Sequence, residues 1–416
     1  MGLGHNIRIL YLTAFWPHRS GIGPELRSRN ILAALRDIGQ VDVAVLHDDD
    51  LPADTIKQFA HESSASRTAP VSPRPEKGVA KKLRWLFKAN SPFPHGCGVD
   101  ERFESQLMHE LGGYDLVWHF KLRTPNLFVR QTWPRSVVDI DDVPSTFERA
   151  AADYSFGLRR MLSLARMWNW RRRERLLDNR FSALAVCSEG DRQYLRNIGV
   201  HAPLHVIPNG SEKPACEPLR NPAMPPRIGF IGLFDYLPNS EGIQWFAKQC
   251  WPRIKQHIPA ARLRLMGKGT DGPLKPSGRD IDALGWVEDA AAEMATWSLM
   301  IVPIHRGAGT RLKIAQGFSA KCPIVSTSLG AYGYELRNGR ELFLADAALP
   351  FAEACVRVVR QPADAARMAD RAWRQFLDKW TWDAIRPRVH AAAEDVLRRT
   401  IPANRPHPRP ERVMAH

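Results

Sequence analysis

Between Ile301 and Gly339 the chain reads IVPIHRGAGTRLKIAQGFSAKCPIVSTSLGAYGYELRNG. An apolar run ends at Pro303, the loop His305-Arg306-Gly307-Ala308-Gly309 follows, and a helical pattern begins near Thr310. Glycines let a backbone approach a ligand closely. The free amides and positive end of a helix favour an anion. Arg306, Arg311 and Lys313 add three cations in the same short stretch. Together these residues have the chemistry of a phosphate or diphosphate site, held by backbone N–H groups and charge-assisted contacts. The competing reading is a glycine turn beside a capped helix with solvated basic residues.

Other residues carry weaker signals. Gly21-Ile22-Gly23 follows a first apolar run and precedes Pro24, well placed for the first turn of a helix. A structural turn would look the same. His119, near the end of DLVWHF, could face a cleft and take a proton or touch a sugar, or be a half-buried strand-end histidine. Asp139, Asp141 and Asp142 form a D-x-D-like group that could bind a metal or cap a turn. Glu335 precedes Asn338-Gly339 and could reach a nucleotide or stand in water.

These residues need elements to position them, and two strand–helix series are readable. The first has short apolar runs at 7–13, 41–46, 115–120, 136–140, 183–187 and 204–207, with helical patterns at 24–37, 101–111, 158–180 and 190–197. The second has runs at 227–232, 261–266, 280–285, 298–303, 323–328 and 341–346, with helices at 241–257, 289–296, 310–321 and 349–360. Alternation of this kind predicts α/β architecture, with parallel sheets covered on both faces. The expected layout is a first domain over 1–210, a Pro/Gly/Asn-rich linker at 211–226 and a second domain over 227–362. Helices over 363–399 cross between them, and a Pro-rich tail over 400–416 lacks order. Residues 47–100 read as an insertion with little regular structure apart from a helix at 79–88. Two doubly wound domains leave a cleft at the carboxyl ends of their strands, where ligands bind.

Composition narrows the class. The chain has 416 residues, 44% of them hydrophobic and 25% charged, which fits a folded soluble protein. No run approaches the roughly 18–20 apolar residues of a spanning helix, and the N-terminal MGLGHNIRILYLTAFWP reads as a strand, not a signal peptide. Six dispersed cysteines show no zinc spacing and suit a reducing, cytoplasmic compartment.

The net charge is +15, concentrated in residues 77–88, 158–180 and the tail. Residues 77–88 (KGVAKKLRWLFK) read either as a basic amphipathic helix for an anionic membrane surface or as a docked surface helix. In 158–180, Leu158, Met161, Leu162, Ala165 and Trp168 form one stripe among eight arginines. A polyanion-binding protein is the non-enzymatic alternative, but no nucleic-acid-binding module is readable.

The run G-x-G-T-R-x-K (307–313), its apolar helix, and C-P-I-V-S-T-S-L-G-A-x-G (322–333) resemble the C-terminal domain of group 1 (family 4) glycosyltransferases. GFIGLFDYLPNSEGIQWF (229–246) and ALGWVEDAAAEMATWSLMIVPI (283–304) fit the same pattern, and weaker matches lie at 7–40 and 136–210. The resemblance is greatest to sugar transferases of bacterial exopolysaccharide synthesis. It implies the GT-B fold, with nucleotide sugar on the second domain and acceptor on the first. It also implies a retaining transferase that needs no metal and no cofactor beyond its nucleotide-diphosphate-sugar donor. A glycan or polyprenol-linked acceptor would be met in the cytoplasm, at the inner face of the membrane. Arg311, Lys313 and His119 are the candidate catalytic groups, His119 on its place in the strand alone. Gly21, Gly23, Arg306, Gly307, Gly309, Thr310, Gln316 and Glu335 are the implied donor contacts. Two departures stand out. Ala308 and Gln316 occupy positions where the family often has glutamates, and Gly232–Asn239 lacks the Arg and Lys some members carry. A nucleotide-sugar epimerase or hydrolase on the same fold is the alternative reading.

Overall fold

The computed structural model describes residues 7–17, 23–48, 51–73, 97–128, 132–153, 155–307 and 309–400. The first sheet holds β1 (Arg8–Thr13), β2 (Gln40–Asp48), β3 (Arg67–Pro73), β4 (Cys97–Gly98), β5 (Leu116–Phe120), β6 (Trp133–Asp141), β7 (Phe181–Val186) and β8 (Leu204–Val206). Their order is β4-β3-β2-β1-β5-β6-β7-β8, parallel except for the β3–β4 pair. Helices cover both faces, so a central strand such as LVWHF is buried along its whole length. The helices are α1 (Gly23–Arg36), α2 (Ala53–Glu62), α3 (Glu101–Glu110), α4 (Pro144–Asp153), α5 (Gly157–Glu174) and α6 (Glu189–Asn197). Asp100 caps α3 through the amides of Arg102 and Phe103, and Ser188 caps α6 through Asp191 N.

The second sheet holds β9 (Arg227–Ile231), β10 (Arg262–Met266), β11 (Ile281–Gly285), β12 (Leu299–Val302), β13 (Ile324–Ser326) and β14 (Phe343–Leu344). All its pairs are parallel, in the order β11-β10-β9-β12-β13-β14. Around it lie α7 (Leu237–Trp245), which runs through a π turn into α8 (Trp251–His257), then α9 (Ala290–Ala295), α10 (Leu312–Ser319) and α11 (Ala348–Arg360). Helix α12 (Pro362–Lys379) sends Trp373 and Phe376 into the core of this second unit. Helix α13 (Trp382–Thr400) then returns to the first, where Trp382, Ile385, Val389 and Val396 pack with Ile31 and Leu35 of α1. In both sheets the strand order reverses beside the first strand, at β1/β5 and β9/β12. That reversal opens a crevice at the carboxyl ends of the strands.

Two features differ from the sequence expectation. Within 47–100, α2 and β3 are regular structure. Helix α2 packs Ile56, Phe59 and Ala60 against the first core, and β3 pairs along β2. Strand β3 reads RTAPVSP, and its prolines hid it, although prolines are tolerated near a sheet edge. The basic segment 77–88 and the tail over 401–416 lie outside the described residues. The helical pattern at 158–180 stops at Glu174, and Leu177–Asn179 is a 3-10 turn. The side of α5 that faces the protein is Ser163, Met167, Asn169, Trp170 and Glu174. The stripe Leu158, Met161, Leu162, Ala165 and Trp168 therefore points outward.

Candidate active site

Strands β5 and β6 end in unusual backbone. Lys121 (φ 62°) and Asp141 (φ 58°) both occupy the left-handed region, which strains a residue with a Cβ. Their side chains hold each other, with Lys121 Nζ 2.6 Å from Asp141 Oδ2. Asp141 Oδ1 also accepts from Cys187 Sγ at 2.9 Å and Asn209 Nδ2 at 3.1 Å. Burial alone would raise the Asp141 carboxyl, but Lys121 and Arg27 pull it below the ordinary carboxylate range. Behind it, Asp139 accepts two 2.9 Å bonds from the buried Arg27. Arg27 donates further to the carbonyls of Ile207 and Pro208 and to Asn209 Oδ1. The D-x-D spacing thus pairs each of these aspartates with its own cation. Among the described residues no group of three or more His, Cys, Asp or Glu side chains is arranged to hold a metal ion.

Asp142, the next residue, faces the second domain. Desolvation in the cleft, then the charge of Asp141, push its carboxyl up to about 6, against the pull of Lys121 and Arg311. Its carboxylate occupies the space where a side chain on Gly309 would begin, and Gly309 has φ 73°. Gly309→Ala should therefore lower stability by about 1–2 kcal/mol from the left-handed backbone alone. The overlap with Asp142 adds to that. Urea unfolding of the variant checks the loss.

On the facing side, the loop after β12 leads to α10, and its three cations behave differently. Arg306 Nη1 lies 2.9 Å from Glu241 Oε1, so a carboxylate already answers its charge. Arg311 turns back on the loop, donating to Gly309 O at 2.6 Å and Arg306 O at 3.3 Å, while Tyr334 Oη donates to its carbonyl at 3.1 Å. It holds the loop in shape. Lys313 is buried and sends Nζ to Asn239 Oδ1 at 2.6 Å, 4.2 Å from the centre of the Phe230 ring. Asn239 is held in turn by Leu233 O at 2.7 Å. Among the described residues no carboxylate pairs with Lys313. Burial, and then Arg311, hold its amine well below the ordinary lysine range. Gly232 admits this arrangement, since a Cβ there would stand 3.0 Å from Lys313 Nζ and 2.8 Å from Asn239 Nδ2.

Hydrogen bonds between described residues join the sides. Asn209 Nδ2 donates to Thr310 Oγ1 at 2.9 Å, and Tyr332 Oη donates to Asp191 Oδ1 at 3.0 Å. Burial and Asp191 push the Tyr332 phenol up to about 12. Gly23, the first residue of α1, approaches α10, and a methyl there would lie 3.7 Å from Leu312 Cδ2. A cavity of about 450 Å³ adjoins the loop, walled by Phe147, Arg159, Leu162 and Arg166 on α4–α5 and by Tyr236 and Gly307 opposite.

The structure therefore brings Gly23, Arg306, Gly307, Gly309, Thr310, Arg311 and Lys313 to one cleft. Gln316 stands half-buried on α10, one turn into the helix. Gly21 and Ala308 lie outside the described residues. Two expected residues are elsewhere. His119 is fully buried, with its ring 4.3 Å from Trp133 and 5.6 Å from Phe181, and neither ring nitrogen has a hydrogen-bond partner among the described residues. Burial, and then Arg180, hold it well below the ordinary histidine value. The strand alternation that sends Trp118 and Phe120 to one face sends His119 into the core on the other. Glu335 is exposed and paired with Lys379 at 3.1 Å, on the α12 side. Sequence reasoning missed Lys121, Asn209 and Asn239. Asn209 sits in P-N-G, which reads as a linker turn, and nothing in the sequence separates Lys121 from any strand-end lysine.

Residues 225–361 match the family model described as Glycosyl transferases group 1. This part of the chain is a group 1 glycosyltransferase domain. The matched stretch holds β9–β14 and α10, so Lys313 and the glycine loop belong to the family's own domain. The fold is GT-B. Sucrose-phosphate synthase from Thermosynechococcus elongatus superposes with a TM-score of 0.66 at 16% identity, over 95% of this chain and 100% of that chain. Anabaena HepE in complex with UDP-glucose gives 0.61 at 14% identity, over 94% and 100%. TarM from S. aureus, with fondaparinux, alpha-GlcNAc-glycerol and UDP, gives 0.63 at 10% identity, over 93% and 99%. A search of curated proteins finds no match. No helix among the described residues is long and apolar enough to cross a membrane.

Proposed function

We propose that the transferase moves a sugar from a nucleotide-diphosphate sugar to a glycan or polyprenol-linked acceptor, with retention at the anomeric carbon. The setting is exopolysaccharide or other cell-surface polysaccharide synthesis, at the cytoplasmic face of the membrane, with 77–88 as one membrane contact. The observation that carries the donor is Lys313, a buried amine with no carboxylate partner among the described residues, beside the first turn of α10. A diphosphate supplies the charge that this amine lacks. The UDP-glucose and UDP complexes of the structural relatives agree with that donor class.

The chemistry follows from these parts. As the sugar–phosphate bond breaks, negative charge develops on the leaving diphosphate. The α10 amides and Lys313, oriented beforehand, stabilise it. The anomeric carbon becomes oxocarbenium-like, and the acceptor hydroxyl attacks on the face the phosphate leaves, with that phosphate taking the proton. No metal and no cofactor besides the donor is assigned to the step. Closure of the cleft excludes water and limits donor hydrolysis.

A thermal-shift panel of UDP-, GDP- and ADP-sugars tests the donor. The correct one, at 100 times its dissociation constant, stabilises the folded form by about 2.7 kcal/mol. Arg311→Met should lose that shift, because the loop loses the guanidinium that ties Gly309 to Arg306. A panel with no shift from any nucleotide sugar would overturn the reading.

A further inference from the structure

Helix α5 is built the wrong way round for a helix packed on a globular domain. Its inner side buries Ser163, Asn169 and Glu174 along with Met167 and Trp170. Glu174 is satisfied there by Ser145, which donates from its amide at 2.9 Å and its hydroxyl at 2.5 Å. The outer side carries Leu158 (71% exposed), Met161 (67%), Leu162 (50%) and Trp168 (60%), and Phe156 just before the helix is 87% exposed. Residues at i, i+3, i+4 and i+10 lie on one side of a helix, so these form a continuous apolar row. A solvated row of large apolar side chains on one helix marks an interaction surface.

The charges say which partner it fits. From Phe156 to Arg173 the segment has Arg159, Arg160, Arg166, Arg171, Arg172 and Arg173 and no acidic residue. A second copy of the same face would bring like charges together, because a twofold interface pairs a patch with itself. A nucleic acid offers phosphates but no partner for the apolar row. An anionic bilayer offers both, with acyl chains for Leu158, Met161 and Trp168 and headgroup phosphates for the arginines at their flanks. The geometry points to an anionic lipid bilayer as the partner of this α5 face, and we infer that the helix lies in the headgroup layer without crossing it.

The placement connects this surface to the chemistry. Leu162, Arg159 and Arg166 belong both to this face and to the wall of the cavity beside Gly307. A lipid-phosphate-linked acceptor held in the bilayer would enter the cavity from its edge and meet the donor loop. This last link rests on the transferase reading given above; contact with the bilayer does not.

Flotation of the full chain with phosphatidylcholine vesicles, with and without phosphatidylglycerol, tests the surface. Binding should require phosphatidylglycerol and weaken as salt rises. The variant Leu158→Ser/Met161→Ser/Trp168→Ser should reduce partitioning by at least about tenfold, and Arg160→Glu/Arg172→Glu by a similar factor, at roughly fivefold for each arginine lost. These positions are outside the cavity wall, so both variants should keep the nucleotide-sugar thermal shift of the parent. That shift separates failure of the surface from failure of the donor assignment. Parent protein that ignores anionic vesicles, or variants that float like the parent, would overturn the inference. So would self-association by sedimentation velocity, or DNA binding, lost in the serine variant while vesicle binding stays unchanged.

Discussion

Replacing Lys313 with methionine should cut sugar transfer by about 10²–10³-fold, the usual effect of losing one preorganised donor to a developing anion. The same change should leave the free protein as stable as the parent or slightly more so. Lys313 is a buried amine whose nearest partners are Asn239 Oδ1 and the face of Phe230, and burial opposes its charge. Methionine keeps the length and apolar contacts of the stem and removes the desolvated amine. Loss of activity with gain of stability separates a binding group from a structural one, since a structural lysine would lose both.

The pH dependence has a definite sign. The folded-state pKa of Lys313 is held below its unfolded value, so between the two the unfolded chain binds more protons. Stability of the free parent therefore rises with pH across that window, and Lys313→Met flattens the rise. A diphosphate reverses the balance by favouring the ammonium form. Donor binding should take up a proton in the same window, seen by calorimetry in buffers of different ionisation enthalpy. Equal proton uptake in parent and variant would assign the anion to another group.

Much of the frame was legible because buried parallel strands are short continuous apolar runs, and those runs need no long-range information. The glycine loop and α10 were legible for a related reason, as their glycines and cations are neighbours in sequence. Side-chain direction was harder. Arg306, Arg311 and Lys313 are indistinguishable as a string, and only the fold gives Glu241 to the first, the loop carbonyls to the second and Asn239 to the third. His119 shows the same limit, because a strand ending at a cleft has two faces and the residue fell on the core side. The stripe on α5 was readable as a stripe, but periodicity does not say which side of a helix faces the protein. Strand β3 was lost to its prolines, and Lys121 and Asn209 to long-range pairing across the sheet.

Arg27→Ala should be the most damaging single change to stability. It removes one partner of a buried pair and leaves Asp139 charged in the interior, which costs about 3–5 kcal/mol where a typical substitution costs about 1. Arg27 also organises the cleft from behind. Its guanidinium bonds Asp139 twice and reaches the Ile207 and Pro208 carbonyls and Asn209 Oδ1. Asn209 in turn bonds Asp141 and, across the gap, Thr310. Loss of Arg27 should therefore weaken donor binding as well as folding, although Arg27 touches neither α10 nor its loop through any of these bonds. A double-mutant cycle with Asp139→Leu and Arg27→Met separates the two effects. Removing both charges should recover much of the lost stability, because no unpaired ion remains. It should leave the donor affinity low, because Asn209 still lacks its anchor. If the double variant recovers binding along with stability, the pair acts only as a structural ion pair, and the chain of contacts from Arg27 to Thr310 does not set the geometry of the cleft.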